Sequence, residues 1–171
     1  MSEKNNILSL TQKHVFNLFK EGHNKALVYH NYNHTIDVVM ATEKIGAASG
    51  LSKDDLEIAT LAAWFHDTGY IKKYIGHESE SIILATDFLN GQNFVEEKIN
   101  KITSAINATQ YPQKPTNLLE EVLCDADFSH FGDKNYLDKS ELLRLEWSLM
   151  DETPEENNWP ISDINFLLEH N

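Results

Sequence analysis

Apolar residues recur every three to four positions along most of the chain, which is the spacing of one face of an α-helix. Nothing in the sequence has the alternating pattern that is typical of a β-strand. The predicted helices are a first one ending before Gly22, then about 34–48, 52–66, 77–90, 93–106, 118–128, 134–150 and 161–168. We therefore expect an all-α fold, a single-domain helical bundle that spans residues 1–171.

Several polar residues and prolines mark where these helices begin and end. Ser52, followed three residues later by Asp55, resembles a capping box, and Asn93 is predicted to cap the helix that follows it. Pro112 and Pro115 should interrupt the chain, because proline lacks the backbone N–H that a helix needs. The acidic segment 151–160 reads as a surface loop. The last predicted helix stops abruptly, so we expect either a truncated C-terminus or a further domain beyond it.

The composition narrows the class of partner. A formal net charge of −13 disfavours binding to long nucleic acid, which requires a basic surface, although a small phosphorylated substrate can still be bound beside a metal ion. The single cysteine, Cys124, predicts a reducing cytoplasmic location. The polar N-terminus and the absence of a long apolar run predict a soluble protein with no membrane span. The sequence leaves the oligomeric state open.

The doublet His66-Asp67, with His34 upstream and Asp125 downstream, forms a mixed nitrogen and oxygen ligand set. Such a set suits a divalent metal ion, since imidazole favours Fe, Ni and Zn while carboxylate favours Mn and Mg. Adjacent helical residues point about 100° apart, so both members of the doublet reach one ion only at a helix end or an irregular backbone. Gly69 is predicted to supply that break through backbone angles that other residues avoid.

Four ordered blocks carry a family resemblance: YHNYNHT at 29–35, AWFHDTGY at 63–70, GHESES at 76–81 and CDAD at 124–127. Together they resemble the HD-domain metal-dependent phosphohydrolases, and most of all a bacterial group of predicted HD phosphohydrolases. That group also carries an Arg-x-Glu-aromatic stretch, matched here by RLEW at 144–147. The resemblance spans about residues 29–147 and implies a helical bundle of the HD/phosphodiesterase type.

The resemblance implies a set of metal ligands, namely His34, His66, Asp67 and Asp125. They would hold one divalent ion (Fe, Mn, Ni, Zn or Mg), and a second ion could be bridged by Asp67. His77 is implied as a ligand to that second ion or as a substrate contact. Two-metal members add two more histidines, and the corresponding segment 104–110 contains none. For Asp127 the alternatives are support of the ligands from behind or a helix cap.

The histidine block is also similar to the signature of class I cyclic-nucleotide phosphodiesterases. In that family the first histidine protonates the leaving oxygen, so the resemblance implies that His30 is the general acid. Asp67 and Glu78 complete the predicted catalytic set, and the alternative for Glu78 is a favourable acid in the first helical turn.

Three basic residues are predicted to contact the substrate phosphate. Arg144 is the main one, because a guanidinium group can bind two phosphate oxygens at once. An ion pair with Glu146 on the protein surface is the alternative for Arg144. Lys72 and Lys73 are the other two, and a solvated loop is the alternative for both.

The predicted function is metal-dependent hydrolysis of a small phosphoester, with nucleotides as the first candidates. A metal ion would lower the pKa of a bound water so that hydroxide attacks phosphorus near neutral pH. Three alternatives stay open: an inactive metal-binding regulatory module, a di-iron oxygenase of the HD type, and a guanosine-polyphosphate hydrolase. The last two lack expected residues, a late histidine in one case and a Glu-Asp pair after the doublet in the other.

Overall fold

The computed structural model describes residues 4–22, 24–132 and 134–150, so the predicted loop at 151–160 and helix at 161–168 lie outside the described residues. Within that part of the chain there are helices and turns but no strand, which confirms the all-α prediction. The α-helices are α1 (Lys4–Glu21), α2 (Tyr32–Ala48), α3 (Lys53–Phe65), α4 (His77–Gly91), α5 (Glu96–Ala108), α6 (Leu118–Asp127) and α7 (Tyr136–Leu149). Two 3₁₀ turns lie at Thr68–Ile71 and Phe128–Gly132.

Side-chain caps begin three of these helices. The Ser52 hydroxyl accepts a hydrogen bond from the backbone N–H of Asp55 at 3.1 Å and donates to the Asp55 carboxylate at 2.7 Å, which confirms the predicted cap. Asn31 caps α2, and Asn117 caps α6. Each cap satisfies backbone N–H groups that the first helical turn leaves without a partner.

The predicted cap at Asn93 is wrong. Helix α5 begins at Glu96, and Val95 occupies the capping position without a side-chain hydrogen bond. Asn93 instead has a φ of 54°, in the left-handed region that asparagine tolerates better than most residues. It forms part of the turn that follows α4, where its N–H donates to the carbonyl of Asn90 at 3.0 Å.

Helix α3 lies at the centre of the bundle. Its second half, residues 58–65, is buried at every position, and α1, α2, α4, α5 and α6 all pack against it. Leu61 and Phe65 are fully buried, and each such side chain stabilises the fold by about 1.5–3 kcal/mol. Because α3 is surrounded in this way, the residues at its C-terminal end are carried into the interior of the molecule.

None of the described helices combines the length and the apolar content that crossing a membrane would require.

Candidate metal centre

The His66-Asp67 doublet lies at the C-terminal end of α3, as its spacing predicts. The backbone N–H of His66 still donates to the carbonyl of Ala62 at 2.9 Å, so His66 closes the last helical turn. Asp67, with φ −107° and ψ 3°, leaves the helix and starts the 3₁₀ turn. This change of backbone direction lets two consecutive side chains point toward one place.

Gly69 is required by a close approach, and the predicted reason, unusual backbone angles, is wrong. Among the described glycines, positive φ angles occur at Gly50 and Gly76 but not at Gly69. A Cβ atom at this position would lie 1.9 Å from the carbonyl oxygen of His77. The Gly69 N–H also donates to the Ser81 hydroxyl at 2.8 Å. The missing side chain therefore lets the start of α4 lie directly on the turn after the doublet.

Four side chains from three helices converge at this point. His34 Nε2 from α2, His66 Nε2 from the end of α3 and Asp127 Oδ1 from α6 all lie within 4.8 Å of one another. Asp67 Oδ2 lies 3.2 Å from both histidine nitrogens. The structure thus brings together three of the four predicted ligands, His34, His66 and Asp67, and adds a carboxylate that was predicted only to support them.

Asp125, the fourth predicted ligand, is corrected to Asp127. Positions 125 and 127 lie about 200° apart around a helix, so only one of them can face the interior. Helix α6 buries Leu123 and Ala126, and Asp127 continues that buried face one turn beyond Leu123. Asp125 is exposed on the other side.

The donor set fits a cation. The carbonyl of Ala63 can only accept, so His66 Nδ1 at 2.8 Å is the nitrogen that carries the proton whenever the ring is neutral, as it must be to bind a metal. The lone pair of Nε2 then faces Asp67 Oδ2 at 3.2 Å and Asp127 Oδ1 at 3.6 Å. None of the buried atoms His34 Nε2, His66 Nε2 and Asp67 Oδ2 makes a hydrogen bond. Electron-rich atoms that face each other in a buried place need a shared positive charge, and a divalent metal supplies it.

The electrostatics of the metal-free cluster point the same way. Burial by itself lowers the pKa of His34 and His66, but the carboxylates of Asp67 and Asp127 outweigh burial and raise the pKa of both imidazoles. Burial would raise the pKa of the two carboxyl groups, but the histidines hold it below its usual range. The carboxylates therefore stay ionised near neutral pH, and a metal ion would replace protons on the two histidines.

His77 lies beside the cluster, as the sequence suggests. Its Nε2 is 3.2 Å from Asp67 Oδ1, so the two oxygens of Asp67 face different histidines. The His77 ring stacks on Tyr70 with 3.7 Å between ring centroids. Glu78 is buried next to His77, and its Oε2 makes no hydrogen bond. The described residues form one cluster of three or more metal-ligating side chains, and His77 is not part of it. A second ion at His77 therefore stays a prediction. The catalytic role of Glu78 also stays a prediction.

His30, the predicted general acid, is held next to the cluster by Glu146. Its ring lies 5.6 Å from the ring of His34 and stacks on Tyr70 at 4.2 Å. His30 Nδ1 donates a hydrogen bond to Glu146 Oε1, and the backbone N–H of His30 donates to Oε2 at 2.9 Å. This arrangement leaves Nε2 as the nitrogen that can give a proton to a departing group.

Glu146 is the functional residue that the sequence interpretation missed. It is fully buried, and it also accepts hydrogen bonds from the Tyr29 backbone N–H at 2.7 Å and the Tyr74 hydroxyl at 3.0 Å. Burial would raise the pKa of Glu146, but the hydrogen bonds from His30 and Tyr29 outweigh it and lower that pKa. The RLEW block was the sequence feature that could have identified it. Within this block Glu146 is buried, whereas Arg144 is exposed.

The three predicted phosphate contacts lie on the surface. Arg144 is about 200° from Glu146 around α7 and donates to Glu141 at 3.0 Å, a geometry that does not favour its predicted role as the phosphate clamp. Lys73 donates to the Ser79 hydroxyl at 2.8 Å and lies 3.6 Å from Glu80. Lys72 is exposed. A phosphate contact by either lysine stays a prediction.

Comparison with known proteins assigns the family. A model of the HD domain matches residues 31–142, well over half of the chain. The matched region contains the four converging side chains and the turn that follows α3. No match was found among curated proteins or among solved structures. From the matched region and the all-α bundle we conclude that the chain belongs to the HD-domain superfamily of metal-dependent phosphohydrolases.

Proposed function

We propose that this protein hydrolyses a small phosphoester, with a nucleotide as the first candidate, by using a divalent metal ion. The observation that carries the proposal is the cluster of buried His34, His66 and Asp67 with half-buried Asp127, in which three buried atoms without hydrogen bonds fit a cation. A superfamily composed mostly of metal-dependent hydrolases supports the same chemistry. The cytoplasmic location belongs to this proposal and rests on the single cysteine.

The divalent ion would be held by these four side chains, and when bound it supplies Lewis acidity and positive charge to the phosphoryl oxygens. The chain supplies the remaining groups. His30 holds a proton at Nε2 and gives it to the departing oxygen of the substrate. Glu146 fixes the orientation of that ring through Nδ1, and Tyr70 supports it from one face. His77 Nε2 lies 3.2 Å from the second oxygen of Asp67 and would restrain the orientation of this ligand.

The position of His30 favours hydrolysis over metal storage. A protein that only stores or senses a metal does not need a histidine such as His30, which is oriented by a buried carboxylate and is not one of the metal ligands. A di-iron oxygenase is less well supported, because the described residues supply one ligand cluster, which does not provide six protein ligands for two irons.

The experiment is a metal and substrate panel. The full chain is stripped with a chelator and reloaded separately with Mn, Fe, Ni, Zn or Mg. Phosphate release is then measured from p-nitrophenyl phosphate, bis-p-nitrophenyl phosphate, nucleoside monophosphates and cyclic nucleotides. The proposal predicts hydrolysis of at least one ester that requires metal and disappears in Asp67→Ala.

One result would overturn the hydrolytic assignment. If the chain binds metal in a stoichiometric amount yet hydrolyses no ester of the panel, the metal-binding regulatory module becomes the better interpretation. The comparison of Asp67→Ala with wild type ensures that any weak activity is not due to a contaminating phosphatase.

A further inference from the structure

A pocket of about 380 Å³ opens next to the metal centre, within the size range of small-molecule sites. His77 forms part of its wall, and Nε2 of this histidine lies 3.2 Å from Asp67 Oδ1. A molecule in the pocket therefore lies beside the cluster without occupying the ligand positions themselves.

The pocket lies next to His30, the residue proposed to give a proton to the leaving group. Its wall includes Tyr70 and Tyr74, and both are neighbours of the ring of His30. Tyr70 stacks on that ring at 4.2 Å, and Tyr74 shares the Glu146 carboxylate with it. Because a general acid must reach the oxygen of the departing group, the pocket beside the acid is suited to hold that group.

Aromatic rings make up much of the wall. Tyr70, Tyr74, Tyr111 and Trp147 all line the pocket, although Tyr70 already stacks on His30 and His77. Trp147 comes from α7, directly after Glu146, so the same helix end that orients His30 also contributes to this wall. Flat aromatic walls favour a flat ring in the ligand, because stacking stabilises any planar π system.

The wall also contains one acid. Glu78 lines the pocket and is 8% exposed, and its buried Oε2 makes no hydrogen bond but lies 3.8 Å from His77 Nδ1. A carboxylate can only accept hydrogen bonds, so the part of Glu78 that lines the pocket favours a ligand that donates them. The amide of Gln110, at the pocket rim, can both donate and accept.

The charge of the wall limits the ligand further. The described residues that line the pocket include Glu78 but neither lysine nor arginine, in a chain with a net charge of −13. Additional phosphate groups on the departing part of the substrate would be repelled there. These features of the wall favour a leaving group that is uncharged, planar in part and rich in hydrogen-bond donors.

We propose that this pocket is the leaving-group subsite and that it takes the nucleoside of a nucleoside 5′-monophosphate, with Glu78 accepting hydrogen bonds from it. This inference rests on the proposed hydrolytic function and assigns its substrate class. It gives Glu78 a role in specificity, and it disfavours nucleotides with several phosphates.

The test measures binding and turnover separately. Binding of adenosine, guanosine, cytidine and uridine, none of which carries phosphate, is measured on the full metal-free chain by titration calorimetry. The variants are Glu78→Gln, Trp147→Leu and the control Glu80→Gln, which alters an acid on the same helical turn outside the pocket lining. Turnover is compared as the ratio of kcat/KM for nucleoside 5′-monophosphates over ribose 5-phosphate.

At least one nucleoside should bind. Its affinity should fall by about tenfold in Glu78→Gln, through loss of charge-assisted hydrogen bonds. It should fall by at least about fivefold in Trp147→Leu, through loss of stacking, while Glu80→Gln binds like wild type. The kcat/KM ratio should favour the nucleotide in wild type and decrease in both pocket variants. Circular dichroism establishes that each variant is folded.

The two proposals fail in different ways. If the metal-loaded chain hydrolyses ribose 5-phosphate as well as any nucleotide, or no nucleoside binds, the pocket assignment is overturned and the hydrolytic function stands. If nucleosides bind in a Glu78-dependent manner but no ester is hydrolysed, the hydrolytic function fails and the nucleoside pocket stands. Binding that is equal in wild type and both pocket variants also overturns the assignment.

Discussion

At the scale of single residues, Glu146 shows how one buried carboxylate can organise a site. A buried carboxylate is costly unless it is fully hydrogen-bonded. Glu146 meets that requirement with two backbone N–H groups, the Tyr74 hydroxyl and the ring of His30. The hydrogen bonds that compensate for the burial of Glu146 therefore also fix the orientation of His30, the predicted general acid.

This arrangement predicts a graded loss of activity. Removing the acid in His30→Ala should slow turnover by roughly 10²–10⁴-fold while the metal stays bound. Glu146→Gln replaces one accepting oxygen with an NH₂ group, so it should slow turnover by about 10–100-fold, as expected for a group that orients another. Steady-state kinetics with a metal assay measures both effects.

Arg144→Gln is the matched control on the same helix, because Arg144 lies on the outer face and pairs with Glu141. It should retain the wild-type rate. A folded Glu146→Gln variant with an unchanged kcat, or an Arg144→Gln variant that loses activity, would contradict the assignment of the RLEW block.

The residue scale also shows what the sequence could predict about the site. The doublet, His34, His77 and His30 were identified from spacing and resemblance, and all lie around one centre. Asp127 could have been found from the buried face of α6, because it follows Leu123 by one turn. The contact between Glu146 and His30 joins residues that are 116 positions apart, and no local pattern reports such a contact.

At the scale of elements, the 3₁₀ turn Thr68–Ile71 determines how α4 sits on the end of α3. The turn carries Tyr70 between the rings of His30 and His77. It also carries Gly69, over which the His77 carbonyl passes. The distance between Asp67 and His77 thus depends on a contact that a single methyl group would prevent.

Gly69→Ala should therefore destabilise the protein and displace His77. The added carbon would lie 1.9 Å from a backbone oxygen, so backbone must move, at a cost of about 1–3 kcal/mol or more in the free energy of unfolding. Urea unfolding measures this cost. Gly91→Ala, where the new carbon meets nothing within 4 Å, should be neutral or slightly stabilising. Equal stability of the two variants would show that the close approach at Gly69 does not exist.

Elements were the most predictable level of the structure. The helical period located α1 to α7 because each helix must bury one face in a single bundle. The prediction of a helix cap at Asn93 was wrong for a local reason. Asparagine is favoured both at helix caps and in left-handed turns, and the sequence does not distinguish the two. The two 3₁₀ turns were not predicted, because short turns of this kind carry no repeat long enough to recognise.

At the scale of the whole molecule, the bundle places two histidines and two carboxylates in its interior. In the metal-free protein the pKa of His34 and His66 is raised above 6.5 by these carboxylates. Protonation of the two histidines therefore stabilises the metal-free fold below pH 6.5, and this contribution is lost as the pH rises through the raised pKa values. A bound divalent ion would replace the lost positive charge.

The rise in Tm caused by metal should consequently grow with pH. It should be small at about pH 5.5, where protons compete for the histidines, and larger at about pH 8, where they do not. Thermal unfolding of the stripped and the reloaded chain at both pH values measures this difference. A metal-induced shift that is the same at both, or larger at the lower pH, would mean that the two histidines do not bind the ion.

The central claim is a metal centre built from His34, His66, Asp67 and Asp127, and its most direct test is metal content per chain by elemental mass spectrometry. Wild type purified without chelator and then incubated with excess metal should retain about one equivalent. Asp125→Ala should retain the same amount, whereas Asp127→Ala should lose the ion. Absence of metal from wild type, or loss of metal in Asp125→Ala with retention in Asp127→Ala, would contradict the account.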